Sequence, residues 1–423
     1  MTKVSPRADA PYGVLGRTLG HSYTPRIYPM LADIEYVRFE REPEEVEAFL
    51  RGDEWSGVNV TIPYKRTVVP YLDELTACAR RLGNVNTIVR LPDGRLRGGN
   101  TDYFGFKTLV ESTGVDVTGK RALVLGGSGG AGTTCMTVLE DLGCEPIAVG
   151  RSGAVTYDDL DAYAAVHLIV NATPVGMYPA CPDSPVDLTR FKGLEAVVDI
   201  VYNPARTGLM LQAEELGVPS AGGLLMLVAQ AAEAVRAYTG VEVARERILE
   251  VTNALSQAEQ NIALIGMPGS GKTRVGQALA RLLDREHVDL DDAFRERIGM
   301  SCAEFITTQG EEAFRTRETQ VLGEVAKRSG LVISCGGGVV TRDENYPLLH
   351  QNSRIVMLNR PIGELSRKGR PITARDGVEK LAAKRMPRYR SWADIVIDSR
   401  ENAEATARAL FQVMRSIQNS GSH

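Results

Sequence analysis

Two glycine-rich loops of different kinds constrain this chain more than anything else in it. Gly127-Ser-Gly-Gly-Ala-Gly132 follows the spacing GxGxxG, and Gly266-Met-Pro-Gly-Ser-Gly-Lys-Thr273 follows GxxxxGK[ST]. The first suits the pyrophosphate of a dinucleotide, with helix N-terminal amides meeting the phosphates. The second suits a nucleoside triphosphate with magnesium: backbone amides cradle phosphates, Lys272 neutralises charge and the Thr273 hydroxyl reaches the metal. Two loop classes in one polypeptide imply two active units, one for a redox step and one for a phosphoryl transfer. At 423 residues the chain also exceeds the size at which one hydrophobic core stops growing, and about 150 residues per domain gives about three domains.

The GxGxxG spacing is weak evidence alone, and its surroundings strengthen it. Ala122-Leu-Val-Leu125 reads as a buried strand, and Cys135, Val138, Leu139 and Leu142 recur at i, i+3, i+4 and i+7 until Gly143 ends the helix. Strands at 147–149, 166–170 and 197–201 extend the same domain. At the end of the first of these stands Gly150-Arg151-Ser152, where an NAD site usually carries an acid for the ribose 2′-hydroxyl. An arginine there favours the 2′-phosphate of NADP, although a solvated surface arginine is the plain alternative.

Short apolar runs alternate with helical patterns almost throughout, so the fold class expected is α/β, with parallel sheets covered by helices. Residues 1–105 form a separate α/β domain with strands near 12–15 and 57–62. Residues 106–225 are expected to be a Rossmann domain, and helices over 226–255 to return to the first domain. The polar stretch 256–260 reads as the linker. Asn261-Ile-Ala-Leu-Ile265 then opens a P-loop parallel-sheet domain over 261–423, its lysine loop followed by a helix with Val275, Ala278, Leu279, Leu282 and Leu283 on one face. No internal repeat is present.

A net charge of −4 with 24% charged residues and no basic block gives no footprint for nucleic acid. No run of eighteen apolar residues and no apolar segment after the N-terminus occur, so a membrane span and secretion are not expected and a cytoplasmic protein is. Six cysteines without CxxC spacing read as reduced, incidental thiols. The last residues, Ser416 to His423, read as a disordered tail.

Upstream of the Rossmann pattern lie Tyr12-Gly-Val-Leu-Gly-Arg-Thr-Leu-Gly-His-Ser-Tyr-Thr-Pro25, Asn59-Val-Thr-Ile-Pro-Tyr-Lys65, Asn84-Val-Asn-Thr87 and Gly99-Asn-Thr-Asp102. Downstream follow Asn171-Ala-Thr-Pro-Val-Gly-Met177, Asp199-Ile-Val-Tyr-Asn-Pro204 and Met226-Leu-Val-Ala-Gln230. In this order the motifs resemble shikimate dehydrogenases over 12 to about 240. The resemblance implies that Lys65 and Asp102 are the catalytic pair and that Ser22, Thr24, Thr61, Asn86, Tyr202 and Gln230 bind the polyhydroxy acid. It assigns NADP(H) to Gly127, Gly129, Gly130, Ala131, Arg151, Ser152, Thr173, Met177, Ile200 and Gly223. The chemistry agrees, since hydride addition to a ketone leaves an alkoxide-like oxygen that a nearby lysine protonates while a carboxylate orients the ammonium. His21 reads as structural. Thr24 stands in place of the usual serine, Tyr28 and Pro29 in place of the common His and Asn, and Asn84 in place of a small apolar residue, so a shikimate or quinate preference stays open.

After the lysine loop come Asp289-Leu-Asp291, Gln309-Gly-Glu-Glu-Ala-Phe-Arg315, Ser334-Cys-Gly-Gly-Gly-Val339, Arg370-Pro371 and Arg385-Met-Pro-Arg-Tyr389. This set resembles shikimate kinases over 261 to about 400. The resemblance implies that ATP meets Gly269, Ser270, Gly271, Lys272, Thr273, Arg274 and Arg370, with Lys272 and the lid residue Arg370 catalytic. It assigns Mg²⁺ to Thr273 and Asp289, and shikimate to Asp291, Arg315, Gly337 and Arg385. Asp291 taken singly reads instead as the cap of the helix that follows it. Ser366 to Pro371 leaves fewer residues than usual before the lid arginine. Together the two resemblances imply a two-activity chain of the shikimate route to aromatic amino acids. Such a chain is expected to reduce 3-dehydroshikimate with NADPH and to phosphorylate the shikimate 3-hydroxyl with ATP. The rivals are a quinate or amino-shikimate dehydrogenase joined to a related kinase, and a non-catalytic metabolite sensor. The partners expected are these small molecules, without nucleic acid or membrane, and a homodimer is left open.

Overall fold

A computed structural model of the chain describes residues 10–20, 23–365 and 377–420. The chain divides into two compact units, one of Met1–Met177, Asp183–Asn203 and Leu209–Leu255, the other of Tyr178–Pro182, Pro204–Gly208 and Ser256–His423. Among the described residues no helix is long and apolar enough to cross a membrane.

The first unit holds two sheets. Strands β1 (Tyr12–Gly16), β2 (Tyr36–Glu40), β3 (Gly57–Val60), β4 (Glu74–Leu75), β5 (Thr87–Arg90) and β6 (Leu96–Gly99) form one of order β2-β1-β3-β5-β6-β4. It is mixed rather than wholly parallel, because β5 runs antiparallel to both β3 and β6. The connection from Arg90 to Leu96 closes as a hairpin, with the Leu91 amide donating to the Arg95 carbonyl, and is far too short for a parallel crossover. Helices α1 (Thr24–Leu31), α2 (Val46–Arg51) and α3 (Ala77–Leu82) accompany this sheet.

The second sheet, of order β11-β10-β9-β7-β8, is parallel at every pairing and comprises β7 (Arg121–Leu125), β8 (Glu145–Val149), β9 (Leu168–Asn171), β10 (Ala196–Asp199) and β11 (Ser220–Gly222). Helices α4 (Asp102–Glu111), α5 (Gly130–Asp141) and α6 (Gly208–Glu215) surround these strands in sequence. Two apolar clusters, one around Val124, Val138 and Val170 and the other around Leu123, Ile169 and Leu209, cover its two faces. Burial on both faces explains why β7 and β9 read as unbroken apolar runs.

Helices α7 (Leu224–Thr239) and α8 (Arg245–Glu259) leave this sheet and pack against the first one. Val228, Ala231, Val235, Ile248 and Leu255 join Val14, Ile27 and Tyr28 in one core. Helix α8 runs through Glu259, so most of the polar stretch 256–260 is helical, and Gln260 closes it by donating to the Ser256 carbonyl.

In the second unit, β12 (Asn261–Ile265), β13 (His287–Asp289), β14 (Val332–Ser334), β15 (Ser353–Asn359) and β16 (Ile395–Asp398) form a parallel sheet of order β13-β14-β12-β15-β16. The helices are α9 (Lys272–Leu283), α10 (Leu290–Ile298), α11 (Cys302–Gln309), α12 (Glu311–Ala326), α13 (Asn345–His350), α14 (Val378–Trp392) and α15 (Ala403–Ser420). In both parallel sheets the glycine loop follows the strand from which the order runs outward in two directions, β7 in one and β12 in the other. Ligands of open α/β sheets bind at that crevice.

Candidate active sites

In the first unit the Lys65 Nζ donates to Asp102 Oδ2 at 2.6 Å. Lys65 lies just beyond β3 and Asp102 opens α4, and both side chains remain partly accessible, at 32% and 21%. An exposed ion pair contributes little to stability, so this pair is better placed for proton transfer than for holding the fold. Beside it Asn86, Thr101 and Gln230 meet directly. The Thr101 amide donates to Asn86 Oδ1 at 2.7 Å, and the Thr101 hydroxyl donates to Gln230 Oε1 at 3.2 Å. Helix α7 therefore delivers Gln230 to a residue 129 positions earlier in the sequence. Thr24 is the first residue of α1, Thr61 follows β3, and Tyr202 packs edge-on against Tyr23 with ring centroids 5.3 Å apart. Ser22 lies outside the described residues, as does His21.

The dinucleotide loop follows β7. Gly127 and Gly132 are buried, whereas Gly129, Gly130 and Ala131 are exposed at the start of α5. A Cβ at Gly132 would lie 2.1 Å from the Gly126 carbonyl oxygen, so the helix can come this close to the turn only with glycine there. Gly223 is equally constrained, its Cβ position falling 2.0 Å from the Ile200 oxygen. Arg151 and Ser152 are exposed directly after β8, at the strand end where an adenosine ribose is read in this fold. Thr173 is fixed by the buried Asn171, whose Oδ1 accepts its hydroxyl at 2.6 Å and whose Nδ2 donates to Asp199. Met177 stays 46% exposed, an apolar side chain available to a flat ring. These features fit a dinucleotide phosphate.

The second unit carries a cavity of about 890 Å³ running from the lysine loop to α11, α12 and α14. Gly269 and Gly271 both adopt positive φ, 88° and 95°, which turns successive amides toward one side of the loop. Lys272 is buried and donates to the Gly266 and Met267 carbonyls at 2.9 and 3.1 Å. Ser270 and Arg274 also face this cavity. The Thr273 hydroxyl donates to Asp289 Oδ2 at 2.6 Å. Among the described residues no cluster of three or more His, Cys, Asp or Glu could hold a metal. A hydroxyl beside one carboxylate suits Mg²⁺, which keeps waters and takes further ligands from phosphate.

Asp289, not Asp291, caps α10: its side chain accepts from the Asp291 amide at 2.9 Å, because β13 ends there. Asp291 is left to face the cavity, where burial and then the Asp289 charge push its carboxyl above the usual aspartate value. The glycine triad 336–338 is a cradle. A Cβ at Gly337 would come within 2.6 Å of Pro268, and one at Gly338 within 2.0 Å of the Arg315 guanidinium. Arg385 donates to the Gly337 carbonyl at 2.9 Å, which brings Arg315, Gly337 and Arg385 to one wall. Arg370 lies outside the described residues, and with it the shortened lid.

Several groups at these sites escaped sequence reasoning. Glu318 is buried and accepts from Arg315 at 2.6 Å, and Tyr389 donates to the Gly337 carbonyl. The spacing of Arg315 and Glu318, one helical turn apart, is the signal that could have found the pair. Asn59, Thr87 and Thr101 stand within the dehydrogenase motifs, yet nothing in the sequence marks their bonds to Asn86. All six cysteines are free.

Comparison with known proteins follows these two constellations. The family model described as Shikimate dehydrogenase substrate binding domain matches residues 14–88, and the one described as Shikimate kinase matches residues 268–415. A shikimate dehydrogenase (NADP(+)) of Clostridium beijerinckii is 35% identical over 244 residues, which span 53% of this chain and 89% of that protein. Among solved structures, a chorismate mutase/shikimate 5-dehydrogenase fusion protein from Clostridium acetobutylicum aligns with a TM-score of 0.55 at 32% identity, covering 58% of this chain and 96% of that one. The shikimate 5-dehydrogenase from Thermus thermophilus, in complex with NADP(H) and shikimate, aligns with a TM-score of 0.52 at 30% identity, covering 58% and 99%.

Proposed function

Because the chain belongs to the shikimate dehydrogenase family and continues into a shikimate kinase domain, we propose that one polypeptide performs two successive reactions of the shikimate pathway. The first unit reduces 3-dehydroshikimate to shikimate, and the second phosphorylates the shikimate 3-hydroxyl. NADPH supplies the hydride of the first reaction, and ATP with Mg²⁺ the phosphoryl group of the second. The observation that carries this reading is the Lys65–Asp102 pair at 2.6 Å beside Asn86 and Gln230, in a chain that also aligns Thr273 with Asp289.

In the first reaction Lys65 donates a proton to the oxygen of the reduced carbonyl, and Asp102 orients its ammonium. Ser22, Thr24, Thr61, Asn86, Tyr202 and Gln230 hold the substrate. Gly127, Gly129, Gly130 and Ala131 offer amides to the dinucleotide pyrophosphate, and Arg151 with Ser152 selects the 2′-phosphate. Thr173, Met177, Ile200 and Gly223 line its nicotinamide end. In the second reaction Asp291 accepts the substrate's hydroxyl hydrogen bonds, and Arg315 and Arg385 clamp its carboxylate across Gly337. Lys272 and Arg370 spread the charge of the transferring group, and Thr273 with Asp289 serves the magnesium. The domain division that accompanies this reading places the substrate-binding domain at 1–105 with the return helices, the NADP domain at 106–225 and the kinase at 261–423. A cytoplasmic setting completes it.

The test supplies 3-dehydroshikimate, NADPH, ATP and Mg²⁺ together and follows NADPH by absorbance and products by mass spectrometry. Shikimate 3-phosphate whose formation depends on NADPH supports both halves. Unchanged NADPH overturns the dehydrogenase, and accumulation of shikimate without phosphate overturns the kinase.

A further inference from the structure

Beneath Asn86 lies a buried polar network that none of the proposed roles uses. Asn59 on β3 is its hub. Three tyrosine hydroxyls converge on the Asn59 Oδ1: Tyr28 from α1 at 2.5 Å, Tyr36 from β2 at 2.8 Å and Tyr238 from the end of α7 at 2.8 Å. The Tyr28 and Tyr36 rings stack with centroids 3.8 Å apart and 5° between planes. Room for Tyr238 depends on Gly57, where a Cβ would lie 2.5 Å from that ring. Such a convergence costs conformational freedom at four positions.

Its consequence follows from counting protons. The Asn86 backbone carbonyl can only accept, so the Asn59 atom facing it is Nδ2 and the atom facing the three phenols is the amide oxygen. The Asn59 Nδ2 donates to Thr87 Oγ1 at 3.1 Å and to the Asn86 carbonyl at 3.3 Å. With its lone pair so engaged, Thr87 turns its own proton to the Asn86 Oδ1 at 3.0 Å. The Thr101 amide takes the same oxygen at 2.7 Å. The Asn86 oxygen is thereby saturated, and its Nδ2, one proton of which goes to the Thr101 hydroxyl at 3.1 Å, is the group left to face a ligand. Burial holds all three phenols well above their usual pKa, so they stay protonated donors throughout the working range of the protein.

We propose that Tyr28, Tyr36 and Tyr238 are positioning residues for the dehydrogenase: by filling the Asn59 oxygen they direct, through Asn59 and Thr87, a second donor onto the Asn86 oxygen beside the Thr101 amide, and so hold Asn86 in the orientation that presents its Nδ2 to a hydroxyl of the substrate. This rests on the reading of Asn86 as a substrate-binding residue. When two of the hydroxyls are removed, the Asn59 oxygen is left short of donors and the Thr87 proton is no longer held on Asn86, whose orientation then rests on the Thr101 amide alone, so its Nδ2 meets the substrate hydroxyl less firmly. A contact made equally before and during the chemical step acts on KM rather than on kcat.

The experiment is a mutant cycle in the full chain, with shikimate oxidation by NADP⁺ as the readout. Tyr28→Phe/Tyr238→Phe keeps both rings and is expected to raise KM for shikimate about three- to tenfold, the worth of one weakened hydrogen bond, with KM for NADP⁺ and kcat within about twofold. Asn86→Ala alone raises the same KM, and adding the tyrosine changes to it raises it no further, because their effect runs through Asn86. Additive effects in the cycle, or a rise in KM for NADP⁺ alongside, overturn the proposal in favour of a merely structural role. If the double variant loses its thermal transition, Tyr238→Phe, at the half-buried member, carries the same cycle with a smaller expected rise. Wild-type protein inert toward shikimate and NADP⁺ refutes the reading of the site itself and is distinguishable from either outcome.

Discussion

Replacing Glu318 by glutamine tests what the buried charge in the kinase site is for. Glu318 and Arg315 keep only 7% and 8% of their side-chain surface and meet at 2.6 Å. The only other carboxylate paired with Arg315 among the described residues is that of Glu311, at 3.6 Å. Deleting one partner of a buried pair outright costs about 3–5 kcal/mol, because the remaining charge is uncompensated. Glutamine retains the shape and one hydrogen bond, and it relieves a strain already present, since burial holds the Glu318 carboxyl above the usual glutamate value in spite of Arg315. We therefore expect a net loss of about 2 kcal/mol for the kinase unit. At about 2–4 °C per kcal/mol for a unit of this size, its transition should fall by about 4–8 °C. Calorimetry on the full chain resolves this, with the kinase transition recognised as the one raised by ATP and Mg²⁺. The KM for shikimate should rise with it, as Arg315 loses the partner that aims its guanidinium. A kinase transition displaced by less than about 1 °C, or an equal fall in the dehydrogenase transition, would refute the assignment of Glu318 as the counter-charge.

Three further outcomes are expected. Lys65→Ala should slow NADPH-dependent reduction by about 10²–10⁴-fold, the usual worth of general acid catalysis, while phosphorylation in the same tube is unchanged; loss of both activities without unfolding would contradict separate sites. Chelation of Mg²⁺ by EDTA should abolish phosphorylation and leave reduction intact, as Thr273 and Asp289 belong to one reaction only. Asp291 accepts the substrate's hydroxyls most strongly when ionised, and burial raises its pKa, so kcat/KM for shikimate in the kinase reaction should fall on acidification with a midpoint above that of an ordinary aspartate. A midpoint at the ordinary value, or an unaltered acid limb in Asp291→Asn, would count against that role.

The strands that carry the two glycine loops could be read from the residues almost to their ends, because central parallel strands are buried on both faces and so become continuous apolar runs. Asn261–Ile265 is such a case, and Arg121–Leu125 another. The edge strand Glu74–Leu75 and its glycine-rich neighbour Leu96–Gly99 carry no comparable run. Lys65 and Asp102 were legible through their flanking motifs, although nothing in their spacing reveals a 2.6 Å contact. The residues beneath them were not. Asn59, Thr87 and Thr101 are polar side chains made tolerable in the interior by partners 14 to 28 positions away, and Tyr238 is drawn to Asn59 from 179 positions away. No periodicity encodes a partner at that distance. The glycine triad at 336–338 was visible as a motif, but its reason, the crowding of Pro268, Arg315 and Glu318 against the backbone, belongs to the folded state alone.

The core shared by the ends of the dehydrogenase unit bears on how the chain is born. Val14, Ile27, Tyr28 and Tyr36 are synthesised early, yet they are covered by Val228, Ala231, Val235, Ile248 and Leu255. Throughout translation of the intervening strands the first sheet therefore leaves the ribosome with one apolar face bare, a state in which nascent chains aggregate or recruit chaperones. A gene split within that interval should yield fragments that are insoluble apart. The first point at which the growing polypeptide can close its opening domain is the end of α8, immediately ahead of the strand that starts the kinase sheet.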